Sequence, residues 1–370
     1  MQVTRRSLLG GAAGLAAVAG LSACGGSSRG DSSSTTAASG AAAGAGFAAD
    51  AKIGISLPWL GTQNWKEAQD MFTSQLKAAG MTAVVQSAEN QVTTQQQQIA
   101  AMIQQNVKAI VVGPIDGKQL GDVLGQAKSA GIKVIGYDRL IENTDAVDAV
   151  CQFGSVRTGE LQGQSLLDGL KALKGAGPYN IELFGGGPTD PNAPNFFKGA
   201  MKVLQPKIDD GTLKILSGQK TFEQCATPNW DNSKAQARMD SLLSGFYSGK
   251  KIDGVLSPND GIARAILTSA KQAGQTQPVV DGLDAENASV TSIWQGQQYS
   301  TVYKPTTELV GKTVELIKAM QKGEAMPAAT EKQNNGKVEV PVYALDPVVV
   351  TKENAKEAFK DDAARLALLK

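Results

Sequence analysis

From about residue 51 to the C-terminus, short β-branched runs alternate with stretches of helical period. Strands are expected at Lys52–Leu57, Ala109–Gly113, Lys133–Tyr137, Asn180–Phe184, Gly254–Ser257 and Pro278–Gly282, because compact apolar runs bounded by Gly, Pro and Asp suit buried parallel strands. Between the first two, Trp65, Ala68, Phe72, Leu76 and Ala79 recur at three- and four-residue spacing. That period predicts a helix with one buried face, and Gly80 supplies its stop. A second helix follows with Ile99, Met102 and Ile103 turned inward. The βα unit runs once from Ile53 to about Phe153 and again from Asn180 to about Leu283. The expected fold class is α/β, with two Rossmann-like lobes built on parallel sheets.

The first 50 residues break this pattern. Arg5 and Arg6 precede an apolar stretch from Leu8 to Leu21, and Leu21-Ser22-Ala23-Cys24 closes it. Basic residues, an apolar core and small residues before a cysteine read as a lipoprotein export signal, in which Cys24 is lipidated. The apolar stretch is shorter than the roughly 17–25 residues that span a bilayer. Residues 1–23 are therefore expected to be a signal peptide and 24–50 a flexible Gly/Ala/Ser linker. The protein would be exported and held by lipid on the outer face of the cell membrane, in a periplasm or at the cell surface. Thr4-Arg5-Arg6-Ser7-Leu8-Leu9 also fits a twin-arginine signal, so either export route is open.

Charge and composition narrow the chemistry. The chain has 36 Lys and Arg against 35 Asp and Glu, without the basic surplus of a nucleic-acid binder. It contains no histidine, so His-ligated metals and His-based general base catalysis are excluded. No cofactor and no metal are expected. With Cys24 carrying lipid, Cys151 and Cys225 remain as a pair able to form a disulfide in an exported protein, or to stay as two buried thiols.

In wound α/β sheets a ligand sits beyond the carboxyl ends of the strands. Polar residues gather at four such ends: Tyr137-Asp138-Arg139, Gly185 through Asn192, Ser257-Pro258-Asn259-Asp260 and Gly282-Leu283-Asp284. Any one of them could be a turn or a helix cap, and Asp260 and Asp284 are well placed to cap the helices that follow. Together they offer the fixed donors and acceptors that vicinal hydroxyls need. Trp65 and Trp230 sit in or near the same loops and could stack on a sugar ring, with Phe196-Phe197 as a further apolar wall. Two enzymatic readings fare poorly. Gly311-Lys312-Thr313 lacks the glycine a phosphate loop requires, because Thr306 stands there. Asp138, Asp260 and Asp284 could in principle cut a glycosidic bond, but no apolar pocket that would raise a carboxyl pKa is evident.

Ile132 to Leu140, Asn180 to Gly186, Ala235 to Asp240, Leu256 to Gly261 and Tyr299 to Pro305 resemble the periplasmic sugar-binding proteins of ABC transporters, in their xylose-binding and multiple-sugar-binding branch. The resemblance covers roughly residues 50 to 360. It implies a type I periplasmic binding protein whose lobes are joined by a hinge of three crossings, near Phe153–Val156, Leu283–Ala285 and Lys304–Pro305. The lobes would comprise 51–155 with 305–340, and 156–304 with 341–370. It implies a small neutral sugar or polyol held by Asp138, Arg139, Asn192, Asn259, Asp284 and Lys304, with Trp65 and Trp230 as stacking faces and Asn64 beside them. It also implies a non-enzymatic monomer that serves a permease with a separate ATPase chain, or presents its ligand to a chemoreceptor. A repressor of the same fold would need a DNA-binding headpiece, where this chain carries its signal and linker. Three positions depart from the family pattern: Asn64 replaces an Arg, Leu283 replaces a Gln, and Phe153-Gly154-Ser155 replaces a Phe-Asp-Asn segment. The lost donors make a linear polyol an option beside an aldose such as xylose or glucose.

Overall fold

The computed structural model describes residues 46–370. Cys24, the expected signal peptide and most of the expected linker lie outside the described residues. The linker's last residues already belong to the folded body, since the Phe47 amide donates to the Gln321 carbonyl at 2.9 Å and the Phe47 ring packs on the core.

The chain first lays down β1 (Lys52–Leu57), α1 (Gln63–Ala78), β2 (Thr82–Ser87), α2 (Val92–Gln104), β3 (Ala109–Val112), α3 (Gly121–Ser129), β4 (Lys133–Tyr137) and β5 (Ala149–Phe153). It then crosses to a second lobe of α4 (Ser155–Lys174), β6 (Tyr179–Leu183), α5 (Asn192–Asp209), β7 (Leu213–Ile215), α6 (Phe222–Cys225), α7 (Asn232–Phe246), β8 (Gly254–Leu256), α8 (Asp260–Gln272), β9 (Val279–Val280), α9 (Asn287–Trp294) and β10 (Ser300–Tyr303). It returns through α10 (Thr306–Lys322), β11 (Glu331–Asn334) and β12 (Glu339–Leu345), and ends with β13 (Val348–Thr351), α11 (Ala355–Ala358) and α12 (Ala363–Leu366).

The first sheet has the order β11-β12-β5-β4-β3-β1-β2 and is parallel except for β11. The second has the order β7-β6-β8-β9 and is parallel throughout. In both, the first strand of the lobe pairs with the second on one side and the third on the other. Period-two alternation splits each strand between two cores. Along β3, Ala109 and Val111 join the α1 and α10 side, while Ile110 and Val112 join the α2 and α3 side. α1 forms as its spacing predicts, burying Trp65, Ala68, Phe72 and Leu76 and ending at Gly80 with φ +83°.

Two sequence expectations are corrected here. β12 pairs with β5, and β13 pairs with β10, so the last crossing lies between Leu345 and Val348, not at 340. Leu283–Ala285 is not a crossing: it joins β9 to α9 within the second lobe, and Leu283 bridges to Val302. The disulfide is also overturned. Cys151 lies on β5 in the core of the first lobe and Cys225 on α6 in the core of the second, both free. Burial pushes the thiols up to about 12 and about 11, and they serve as small apolar side chains.

α4 and α5 cross with almost no space between them. A Cβ at Gly159 or at Gly199 would run into the Phe196 or the Val156 carbonyl oxygen of the facing helix, and one at Gly163 would stand 2.8 Å from the Ala200 oxygen. This crossing sets the position of the α5 N-terminus, which carries Asn192 and Phe196 into the cleft.

Candidate binding site between the lobes

The strand ends of both sheets face one another across a narrow cavity. All nine sequence-derived candidates line it: Asn64 and Trp65 from the first turn of α1, Asp138 and Arg139 after β4, Asn192 at the start of α5, Trp230 in a turn before α7, Asn259 before α8, Asp284 after β9 and Lys304 after β10. Trp59, Thr62, Asp190, Phe196 and Leu283 complete the lining.

The charges are paired within the site. Arg139 Nη2 meets Asp190 Oδ2 at 2.8 Å across the lobes, and its Nη1 donates to the Pro114 carbonyl at 2.9 Å. Its Nε–H is buried without a partner. Lys304 stands between Asp138 at 3.3 Å and Asp284 at 3.2 Å. Both carboxylates thus hold the same ammonium, Asp284 through its Oδ1. Burial opposes the Lys304 charge, yet Asp138 and Asp284 more than offset it and hold the ammonium above its usual range. Burial raises the carboxyls of Asp190 and Asp284, against the pull of Arg139 and Lys304.

Asp260 corrects two expectations. It is not the cap of α8, because Asn259 takes that role by accepting the Ile262 amide at 2.9 Å. Nor does it face the cavity, since its oxygens accept from Gln298 at 3.0 Å and from the Glu286 amide at 2.8 Å. Burial, with Glu286 nearby, pushes its carboxyl up to about 8. Asp284 is no cap either, as α9 starts after Glu286. Buried carboxyls with raised pKa therefore do exist around the cleft, contrary to the sequence reading. The two inside it, Asp190 and Asp284, are tied to Arg139 and Lys304.

Asp138, Trp230 and Asp284 adopt positive φ, of 64°, 55° and 90°. Such backbone costs on the order of 1–3 kcal/mol per residue and persists where surrounding contacts over-determine it. Each tryptophan of the lining also rests on glycine. A Cβ at Gly186 or Gly61 would penetrate the Trp230 or Trp59 ring, and one at Gly113 would stand 2.9 Å from Trp65. Trp230 is further fixed by its Nε1–H, which donates to Asp190 at 3.1 Å.

Aromatic faces around internally paired charges suit a neutral, hydroxyl-rich ring, whose C–H faces stack while its hydroxyls bridge fixed donors and acceptors. Residues 53–325 match the family described as periplasmic binding protein domain. The chain belongs to that family. Its relatives here are described as binding proteins, in keeping with the expectation that this chain is not an enzyme. A multiple sugar-binding periplasmic protein, SbpA, from Azospirillum brasilense is 44% identical over 84% of this chain and 88% of its own length. A D-xylose-binding periplasmic protein from Haemophilus influenzae is 36% identical over 85% of this chain and 90% of its own. A solute binding protein of an ABC transporter from Clostridium phytofermentans, solved with bound β-D-glucose, superimposes with a TM-score of 0.82 at 36% identity, covering 86% of this chain and all of that one. The type I periplasmic binding fold expected from sequence is thus the fold observed.

Proposed function

We propose that this periplasmic binding protein captures a monosaccharide of the glucose or xylose kind between its lobes and delivers it to an ABC permease powered by a separate ATPase chain. The observation that carries this reading is the convergence of Asp138, Arg139, Asn192, Asn259, Asp284 and Lys304 from both lobes on one cavity walled by Trp59, Trp65, Trp230 and Phe196. Binding from both sides favours closure by the sugar's differential affinity for the closed state. The relatives named for sugars, and the glucose-bound structure, favour an aldose over a linear polyol. Leu283 stands in the lining where it offers no hydrogen bond, which keeps the polyol as the outcome to test against. The sequence also supports export and anchoring through lipid on Cys24, with the protein working as a monomer.

Calorimetric titration of the protein with D-glucose, D-xylose, xylitol and threitol tests the ligand. An aldose is expected to bind at least tenfold more tightly than either polyol, and at ~100 times its Kd to stabilise the fold by about 2.7 kcal/mol. Silence across all four sinks the reading, and a polyol as the tightest ligand replaces the aldose. In the producing cell, Cys24→Ala is expected to move the protein from the membrane to the soluble exported fraction with sugar affinity unchanged. Retention in the membrane overturns the lipid anchor.

A further inference from the structure

A second polar seam joins the lobes outside the cavity. Arg365 on α12 is 4% exposed. Its Nε donates to the Ala285 carbonyl at 2.7 Å, directly after Asp284, and its Nη1 pairs with Asp362 at 2.6 Å. Its Nη2 reaches both carboxylate oxygens of Glu67 at 3.1 Å each. Glu67 belongs to α1 in the first lobe, on the helix whose first turn supplies Asn64 and Trp65. The same carboxylate accepts from Gln63 Nε2 at 2.7 Å. Gln63 in turn spans the cleft mouth, donating to Asn287 Oδ1 at 2.8 Å and accepting from the Asn287 amide at 2.8 Å. The seam therefore runs from the C-terminal tail through α1 to the segment that follows Asp284, and Gln63, Glu67 and Arg365 are all absent from the cavity lining.

An exposed ion pair would contribute little. This guanidinium is buried and charge-assisted on three sides, and the Gln63–Asn287 exchange bridges the two lobes. Contacts made in one state alone shift the equilibrium toward that state. We infer that Gln63, Glu67 and Arg365 are positioning residues that form an interlobe latch, setting the closed fraction of the protein and the seat of Asn64 and Trp65 without touching the ligand. The inference rests on the clamp reading above. It predicts that apparent sugar affinity scales with the closed fraction in the absence of sugar.

Spin labels on Lys77→Cys and Lys271→Cys, both exposed and one in each lobe, report lobe separation in the full chain, while Cys151 and Cys225 stay buried. Without sugar, Glu67→Gln and Arg365→Gln are each expected to move the distance distribution to longer values. They are expected to weaken D-glucose binding about tenfold, with the sugar-saturated distance as in the parent. The double variant should be no worse than the stronger single. Gln63→Ala should shift both readouts in the same direction and carries the test if Arg365→Gln does not fold. Unchanged distances and affinity overturn the latch, even if the melting temperature falls. The sugar-free distances decide the latch regardless of ligand, so a parent protein that binds no sugar fails the proposed function without deciding this one.

Discussion

At the scale of single residues the site is organised by Asp190. Its Oδ1 accepts the Asn192 amide at 2.9 Å, and its Oδ2 takes both Arg139 at 2.8 Å and the Trp230 indole at 3.1 Å. One carboxylate thus sets a cation of the first lobe and an aromatic face of the second. Asp190→Asn keeps the size but leaves Arg139 buried without its counter-charge, at a cost of about 3 kcal/mol. Sugar affinity is expected to drop at least tenfold by calorimetry, and Arg139→Ala to cost as much. If the double variant is as weak as either single, the two act as one unit. An Asp190→Asn protein of parental affinity would show that Arg139 is held by Pro114 alone. Asp138, Arg139, Asn192, Asn259 and Asp284, read from strand-end loops, all reach the cavity, because loop chemistry at the end of a parallel strand is local information; Lys304 and Asn64 came from the family resemblance. Asp190 was not among them, as Pro188 to Asn192 offers three polar side chains, Thr189, Asp190 and Asn192, and only the α4–α5 crossing decides what each faces. Trp59 carried a signal that went unused: it lies just past the carboxyl end of β1.

At the scale of elements, strands that are continuous apolar runs were legible and those that depend on a partner were not. β11 reads Glu-Lys-Gln-Asn, which has no apolar signal, and β12 carries Pro341 between its valines. Both gain their place from pairing across the sheet, which is why the last crossing was placed inside β12. The α4–α5 crossing was equally silent, since Gly159, Gly163 and Gly199 look like helix-weakening residues until the facing backbone is seen. Gly159→Leu is expected to push α5 away and carry Phe196 and Asn192 with it. The variant should lose several degrees of melting temperature and at least tenfold in sugar affinity. Gly245→Leu, at a helix position with open space around it, should change affinity little. Equal effects from both would show that glycine content, and not the crossing, is what matters.

At the scale of the whole molecule, buried carboxyls tie stability to pH. Asp260 is pushed up to about 8, and Asp190, Asp281 and Asp284 are raised in the same direction, each chiefly by burial. A carboxyl whose folded pKa exceeds its unfolded value near 4 stabilises the fold fully below about pH 4, and that contribution is lost as pH rises through the folded value. The melting temperature is therefore expected to fall by several degrees between about pH 5 and pH 8.5. Asp260→Asn, scanned over the same range, should flatten the curve. A parental curve already flat over that interval would mean that Asp260 is ionised in the fold.

The tryptophans seated on Gly61, Gly113 and Gly186 touch main chain where most pocket walls touch side chains. Main-chain position is set by the sheet and is nearly indifferent to point mutation, whereas Asn64 and Leu283 meet the same cavity through side chains. If these rings do stack on a sugar, substitutions of the polar side chains could change which sugar is held while leaving the aromatic shelf in place.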